Sequence, residues 1–234
     1  MLMTRALCSW SAGRRGQPLA TMRGVLLLFM ASLVACSASA PTLRTGLSAA
    51  TSTASATAPA VDPYRGLPNV PRFRVTSNDV VDRKPMPVEQ LSGLGGVPGG
   101  KDSSPQLTWT GFPAATKSFV VTVFDPDAPT GSGFWHWAVM DIPPSTHSLP
   151  SGAGSPDSGL LPAPAVQLPN DAGLRRYFGA APSPGSGVHR YFITVTALDV
   201  ASTGVDPSSS PALLTASIAP HTLGRGYLVP TAQR

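Results

Sequence analysis

The chain has 234 residues, enough for one domain of ordinary size with extra segments. Gly 23, Pro 26 and a charged fraction of only 12% argue against a helix bundle and for a loop-rich β protein. The net charge of +5 is unevenly placed: Arg5, Arg14, Arg15 and Arg23 precede residue 36 without an acid, and the 13 later basic residues face 12 acidic ones, which leaves no basic patch to argue for nucleic acid.

The N-terminus reads as an address. Arg23 precedes the apolar run Val25–Ala35, 11 residues long and far short of the roughly 20 that span a bilayer. It matches the apolar region of a secretory signal over residues 1–35. Leu33-Val34-Ala35-Cys36 resembles a bacterial lipobox, which implies cleavage before Cys36 and acylation of its thiol. An ordinary cleaved signal, cut near Ala38 or Ala40, is the alternative. Met22 would serve as the start, making 1–21 a mis-assigned extension. The pair Arg14-Arg15 lacks the apolar continuation a twin-arginine signal needs. The two cysteines are Cys8 and Cys36, so no disulfide is expected in the mature domain. Residues 36–66, rich in Ser, Thr, Ala and Pro, read as a flexible tether, with the folded domain over 67–234.

Phe73–Val75 alternates as a first short strand, and Leu107–Trp109 as a second. Gly93–Gly100 is a plain loop, because no helix follows to complete a phosphate cradle. Ser118–Phe124 is β-branched, aromatic and bounded by turn residues, the clearest strand of the chain. Trp137–Ile142 is another, stopped by Pro143-Pro144, and Pro144–Asn170 is a long excursion. In Arg190–Leu198, Tyr191, Ile193, Val195 and Ala197 share one face, and Phe192, Thr194, Thr196 and Leu198 the other. Ser210 caps a helix with Pro211 at its first position, running Ala212–Ala219. After Pro220, His221–Leu228 is expected to add a further helical turn or two. The sum is a mainly antiparallel β-domain with peripheral helices.

The chemistry gathers at two strand mouths. Asp125 and Asp127 flank Pro126, and a residue before proline is pushed into extended geometry. An extended chain would set both carboxylates on one side, their Cα atoms about 6.5 Å apart; a turn is the alternative. His136 sits between Trp135 and Trp137 just before a strand, and His189 opens another. Two acids and two imidazoles can hold an anion through imidazolium and backbone N–H, with the carboxylates orienting the rings. The same four groups could take a divalent metal. The aromatics would give such a pocket apolar walls.

DPDAP (Asp125–Pro129), GSGFWHWAV (Gly131–Val139) and GVHRYFITVTALD (Gly187–Asp199), with SSPQLTW (Ser103–Trp109) and SPALLTASIAPHTLGR (Ser210–Arg225), resemble the phosphatidylethanolamine-binding protein family, in its bacterial Raf kinase inhibitor-like branch. The resemblance spans about 70–230. It implies an antiparallel β-sandwich with helices near the C-terminus and a small anion pocket. Carried over by motif, the pocket is Asp125, Asp127, His136, His189 and Tyr191, with Pro182 and Gly185 on the loop that closes it. It implies ligands that bear phosphate, phospholipid head groups among them, no shared catalytic reaction and no cofactor, and for some members regulation of a protein partner. Where bacterial relatives often carry Cys and Asn, this chain has Lys101-Asp102-Ser103-Ser104, so a loop hydrogen bond supplied by Asn is expected to differ. Pro220 and Gly224-Arg225-Gly226 weaken the C-terminal helix. His221 reads as structural and His147 as solvated.

Three functions compete. The favoured one is a binding protein, lipid-anchored on the extracytoplasmic face of the cell membrane, without catalysis and without a metal. A hydrolase or metal-dependent enzyme using Asp125, Asp127, His136 and His189 is the alternative, weakened by the absence of a GxSxG element. The third is an inhibitor or scaffold acting on a protein partner through its surface.

Overall fold

The computed structural model describes residues 62–234. The signal over 1–35, the start at Met22, Cys36 and the tether as far as residue 61 lie outside the described residues. Within them the chain forms ten strands and one α-helix. These are β1 (Arg74–Thr76), β2 (Leu107–Thr110), β3 (Ser118–Asp125), β4 (Phe134–Ile142), β5 (Ser148–Leu149), β6 (Val166–Gln167), β7 (His189–Arg190), β8 (Phe192–Leu198), α1 (Pro211–Ile218), β9 (Thr222–Leu228) and β10 (Thr231–Ala232).

A five-stranded antiparallel sheet in the order β6-β4-β3-β8-β9 faces a three-stranded sheet, β1-β2-β5, and β10 pairs with β7. The core lies between the two sheets. Val75, Leu107, Trp109 and Leu149 from the small sheet meet Phe119, Val121, Trp137, Val139, Ile193 and Val195 from the large one. Alternation puts these residues inward and explains the burial: each strand gives every second side chain to the sandwich. Trp109 and Phe119 pack edge to face, ring centroids 5.4 Å apart.

The other face of the large sheet is half apolar. Leu214 and Ile218, four apart on α1, settle on Val120, Ala138, Met140 and Leu198. The helix starts where its sequence dictates: the Ser210 hydroxyl accepts the Leu213 N–H at 3.2 Å, and Pro211 occupies the first turn.

Three expectations change. The stretch after Pro220 is not helical: a 3-10 turn over Ala219–His221 leads into β9, so α1 is the one α-helix among the described residues. Gly224 and Gly226 give the reason. A Cβ on Gly226 would stand 2.6 Å from the Phe73 carbonyl oxygen, so the glycines let the segment before β1 cross the strand. The strand carrying His136 begins at Phe134, three residues before Trp137, which places the histidine inside β4. His221 and His147 are both exposed; His221 Nδ1 is bonded to the Asp199 carboxylate at 2.9 Å. The body also begins before Leu67, because Tyr64 packs on Phe192 and Tyr227 and its hydroxyl is bonded to Thr194.

Candidate functional site

The site forms where β3 ends, β4 starts and β7 enters β8. Asp125 closes β3 opposite Phe134. Along β4, Trp137 pairs with Val123 and Trp135 with Phe124, so His136 is the extra residue of a β-bulge. A bulge sets two successive side chains on one side of a strand. His136 therefore points inward beside Trp137, where its ring meets Tyr191 edge to face at 5.1 Å. Simple alternation would have sent it to the outer face.

β7 supplies His189, and Tyr191 stands between β7 and β8; alternation carries both inward and turns Arg190 out. Asp125, His136, His189, Tyr191 and Pro182 line one cavity of about 190 Å³, walled by Phe134, Phe178, Ala128 and Pro129. Asp127 and Gly185 lie outside this lining. The expected extended geometry of Asp125-Pro126-Asp127 gives way to a turn in which the Asp127 N–H donates to Asp125 Oδ1 at 2.8 Å. That turn swings the second carboxylate onto Arg190, whose Nε and terminal nitrogen each donate to it at 2.7 Å. Burial alone would raise the Asp127 pKa, but these bonds and the Arg190 backbone N–H hold it below the ordinary value.

Asp125 and His189 are the buried pair. His189 Nδ1 donates to Asp125 Oδ2 at 2.8 Å, both side chains 3% exposed. The other ring nitrogen meets Ser186 Oγ at 2.8 Å, and that hydroxyl donates to the Ser183 carbonyl at 2.7 Å. The same carbonyl also accepts the Ser186 N–H at 3.0 Å.

His136 behaves differently. Its Nδ1 lies 2.8 Å from the Phe178 carbonyl oxygen, which can only accept, so that nitrogen carries the proton. Burial pushes the His136 pKa below its ordinary 6.5, outweighing the Phe178 carbonyl and the Asp125 charge. The ring is neutral at pH 7, and its Nε2 is an acceptor. The expected pair of imidazolium groups is therefore not present at His136. The Tyr191 hydroxyl is buried beside the Asp125 carboxylate and makes no well-aligned hydrogen bond among the described residues. Burial first, then the Asp125 charge, drives its pKa far above the ordinary phenol value, so it remains a donor.

Because the unfolded chain takes up the His136 proton first, its contribution to stability is complete above about pH 6.5 and is lost as pH falls through the lower folded pKa. A His136→Asn variant keeps a donor for Phe178 but does not titrate. Its urea midpoint between pH 7 and pH 5 is expected to fall less steeply, by at most about 1.4 kcal/mol per pH unit. Matching acid slopes in the two proteins would assign the titration to another group.

The sequence reading missed Asp102. It lies in the Lys101–Ser104 segment expected to bond differently, and it is buried. Its Oδ1 accepts from Ser92 Oγ at 2.6 Å and from the Gly179 N–H at 2.8 Å, and its Oδ2 from the Leu94 N–H at 3.0 Å. One carboxylate thus ties the glycine loop to the segment bearing Phe178 and Pro182. Phe134 and Phe178 were also missed as wall residues; Phe134 stood beside Trp135 in the aromatic run, while nothing around Phe178 marked it. Among the described residues no three His, Cys, Asp or Glu side chains group to hold a metal ion. Asp127 is spent on Arg190 and both His189 nitrogens are engaged, so the four-ligand set does not assemble.

A β-sandwich with a small cavity holding an acid–imidazole pair, a neutral imidazole and a phenol defines a small-ligand binding class. The sequence matches the family Phosphatidylethanolamine-binding protein over residues 76–233, and the chain belongs to that family. It is 46% identical to YbcL of Escherichia coli K12 over 142 residues, covering 61% of this chain and 77% of YbcL. It is 44% identical to YbhB of the same organism over 154 residues, covering 64% of this chain and 94% of YbhB. LppC of Mycobacterium tuberculosis, named as a candidate lipoprotein, is 33% identical over 171 residues, covering 73% of this chain and 77% of LppC. The crystal structure of Escherichia coli YbcL, described as a member of the mammalian PEBP family, matches with a TM-score of 0.67 at 40% identity, over 70% of this chain and 99% of that one.

Proposed function

We propose that this protein binds, and does not chemically transform, a small phosphate-bearing group, a phospholipid head group among them, in the cavity of Asp125, His136, His189 and Tyr191. The observation that carries this reading is a cavity of about 190 Å³ that gathers Asp125, His136, His189 and Tyr191 between apolar walls. The Tyr191 hydroxyl lies beside the Asp125 carboxylate without a well-aligned bond to it, and a ligand oxygen would give this donor an acceptor. Asp125 and the neutral His136 Nε2 line the same cavity and present acceptors suited to an ammonium or a protonated phosphate oxygen. A head group such as phosphoethanolamine carries both halves. The cavity lies below the roughly 300–1,000 Å³ of drug-sized sites, in keeping with a head group and not a whole lipid.

The reading includes anchoring on the extracytoplasmic face of the cell membrane through an acylated Cys36. The lipobox-like Leu33–Cys36 supports it, as does the similarity to LppC. Regulation of a protein partner would then be a consequence of ligand occupancy or surface contact.

Calorimetry of phosphoethanolamine with the full chain in a neutral detergent tests the pocket. Tyr191→Phe is expected to weaken binding by about tenfold or more, the worth of one hydrogen bond to a charged group. Equal affinity in wild type and variant, or no heat in the wild type, would overturn the reading.

A further inference from the structure

A second polar enclosure lies on the outer face of the large sheet. With Gly224 and Gly226 turned inward, alternation puts Arg225 and Tyr227 of β9 on that face. Arg225 is only 8% exposed. All 12 acidic residues of the chain stand at Asp62 or later, hence among the described residues, and none lies within salt-bridge distance of Arg225. Its guanidinium makes no hydrogen bond among the described residues. The Tyr64 ring, 4.9 Å from the guanidinium carbon, supplies a cation–π contact but satisfies none of the five N–H donors. A buried cation is normally paired, because desolvation costs it several kcal/mol.

The guanidinium nitrogens are not fully enclosed, and the group lines a cavity of about 220 Å³. Arg72 lines the same cavity, its guanidinium 3.8 Å over the Tyr227 ring, and Asn69 adds an amide. Asp62 stands on the wall with its Oδ1 engaged by the Tyr64 N–H at 2.9 Å. Two guanidinium groups against one carboxylate leave the enclosure positive. Two tyrosine rings hold the arginines in place, so their donors are pre-organised for a bidentate partner.

We propose that the cavity between Arg72 and Arg225 is a second oxyanion site, separate from the Asp125–His189 cavity, that takes a tetrahedral phosphate or sulfate group. The group arrives either as a free ion or as the diester of a lipid head group. Both present the same oxygens to the two guanidinium groups, and the volume admits a head group but not a larger ligand.

The test is a titration of the full, isotope-labelled chain in neutral detergent with inorganic phosphate, read at backbone amides. Gly224 and Gly226, which flank Arg225, are expected to shift saturably, and the thermal midpoint to rise. Arg225→Met keeps the apolar stem and removes the charge. It is expected to abolish the shifts at 224 and 226 while residues 178–191, around the first cavity, respond as before. In phosphate-free buffer this variant should be at least as stable as wild type. Arg72→Ala, at an exposed position, is a second probe, with binding weakened at least fivefold. Absent shifts at Gly224 and Gly226 in the wild type, or unchanged shifts in both variants, would sink the inference. A response at 178–191 alone overturns this site and leaves the first standing; a response at 224–226 alone does the reverse. Glycerophosphoethanolamine binding here more tightly than inorganic phosphate would assign the lipid source, and the opposite order the free ion; either supports the site.

Discussion

Asp125→Ala will lower the stability of the fold by about 3–5 kcal/mol and abolish phosphoethanolamine binding. The figure follows from stranding two buried donors that the carboxylate now satisfies, about 1–3 kcal/mol each. Both partners are 3% exposed, so water does not screen the loss. The variant leaves His189 Nδ1 and the Asp127 N–H without their acceptor, and it frees the turn that directs Asp127 to Arg190. Urea unfolding gives the stability term and calorimetry the binding term. Asp125→Asn separates them: its amide oxygen can still accept one of the two bonds, so stability should fall less while binding of an ammonium-bearing ligand stays lost. A loss below about 1 kcal/mol in the alanine variant would mean that His189 finds another partner, and that the pair does not organise the cavity.

The second large effect is expected away from the cavity. Asp102→Ala should cost about 2–4 kcal/mol, because it strands the Ser92 hydroxyl and the N–H groups of Leu94 and Gly179, donors to a charged acceptor. The same change should weaken ligand binding without touching the ligand. Gly179 follows Phe178, whose carbonyl fixes the His136 tautomer. Space there is tight: a Cβ on Gly179 would lie 2.4 Å from the Leu91 carbonyl carbon, so the segment cannot easily repack. Asp102→Asn, which keeps an acceptor oxygen, should retain part of both properties. Unfolding midpoints and calorimetry on the three proteins decide it; wild-type affinity in the alanine variant would show that the loop holds its shape without the carboxylate.

Several elements were legible along the chain because their signals are local. Ser118–Phe124 announces a strand by β-branching, and its bounds hold within a residue. The Ser210-Pro211 cap starts α1 where capping chemistry requires it. In β8, alternation sorts Ile193, Val195 and Ala197 to the sandwich and Leu198 to the helix side. The stretch after Pro220 forms β9 because the chain that crosses it, and not local helical propensity, decides its conformation. Gly224 and Gly226 weaken a helix, and they are also what allows Pro71–Val75 to pass over β9.

By itself the sequence determined the central strands of the large sheet, the helix start, the family and the residue types at the strand mouths, since each depends on neighbours within a few positions. Only the tertiary structure decided which of those side chains meet. The β-bulge turned His136 inward, a turn sent Asp127 to Arg190, and Asp102 reached across to Gly179 from 77 residues away. It also buried Arg225 without an acid. These outcomes depend on register, on one inserted residue in a ladder and on the low dielectric of a packed interior. They arise between distant segments, and no local pattern encodes them.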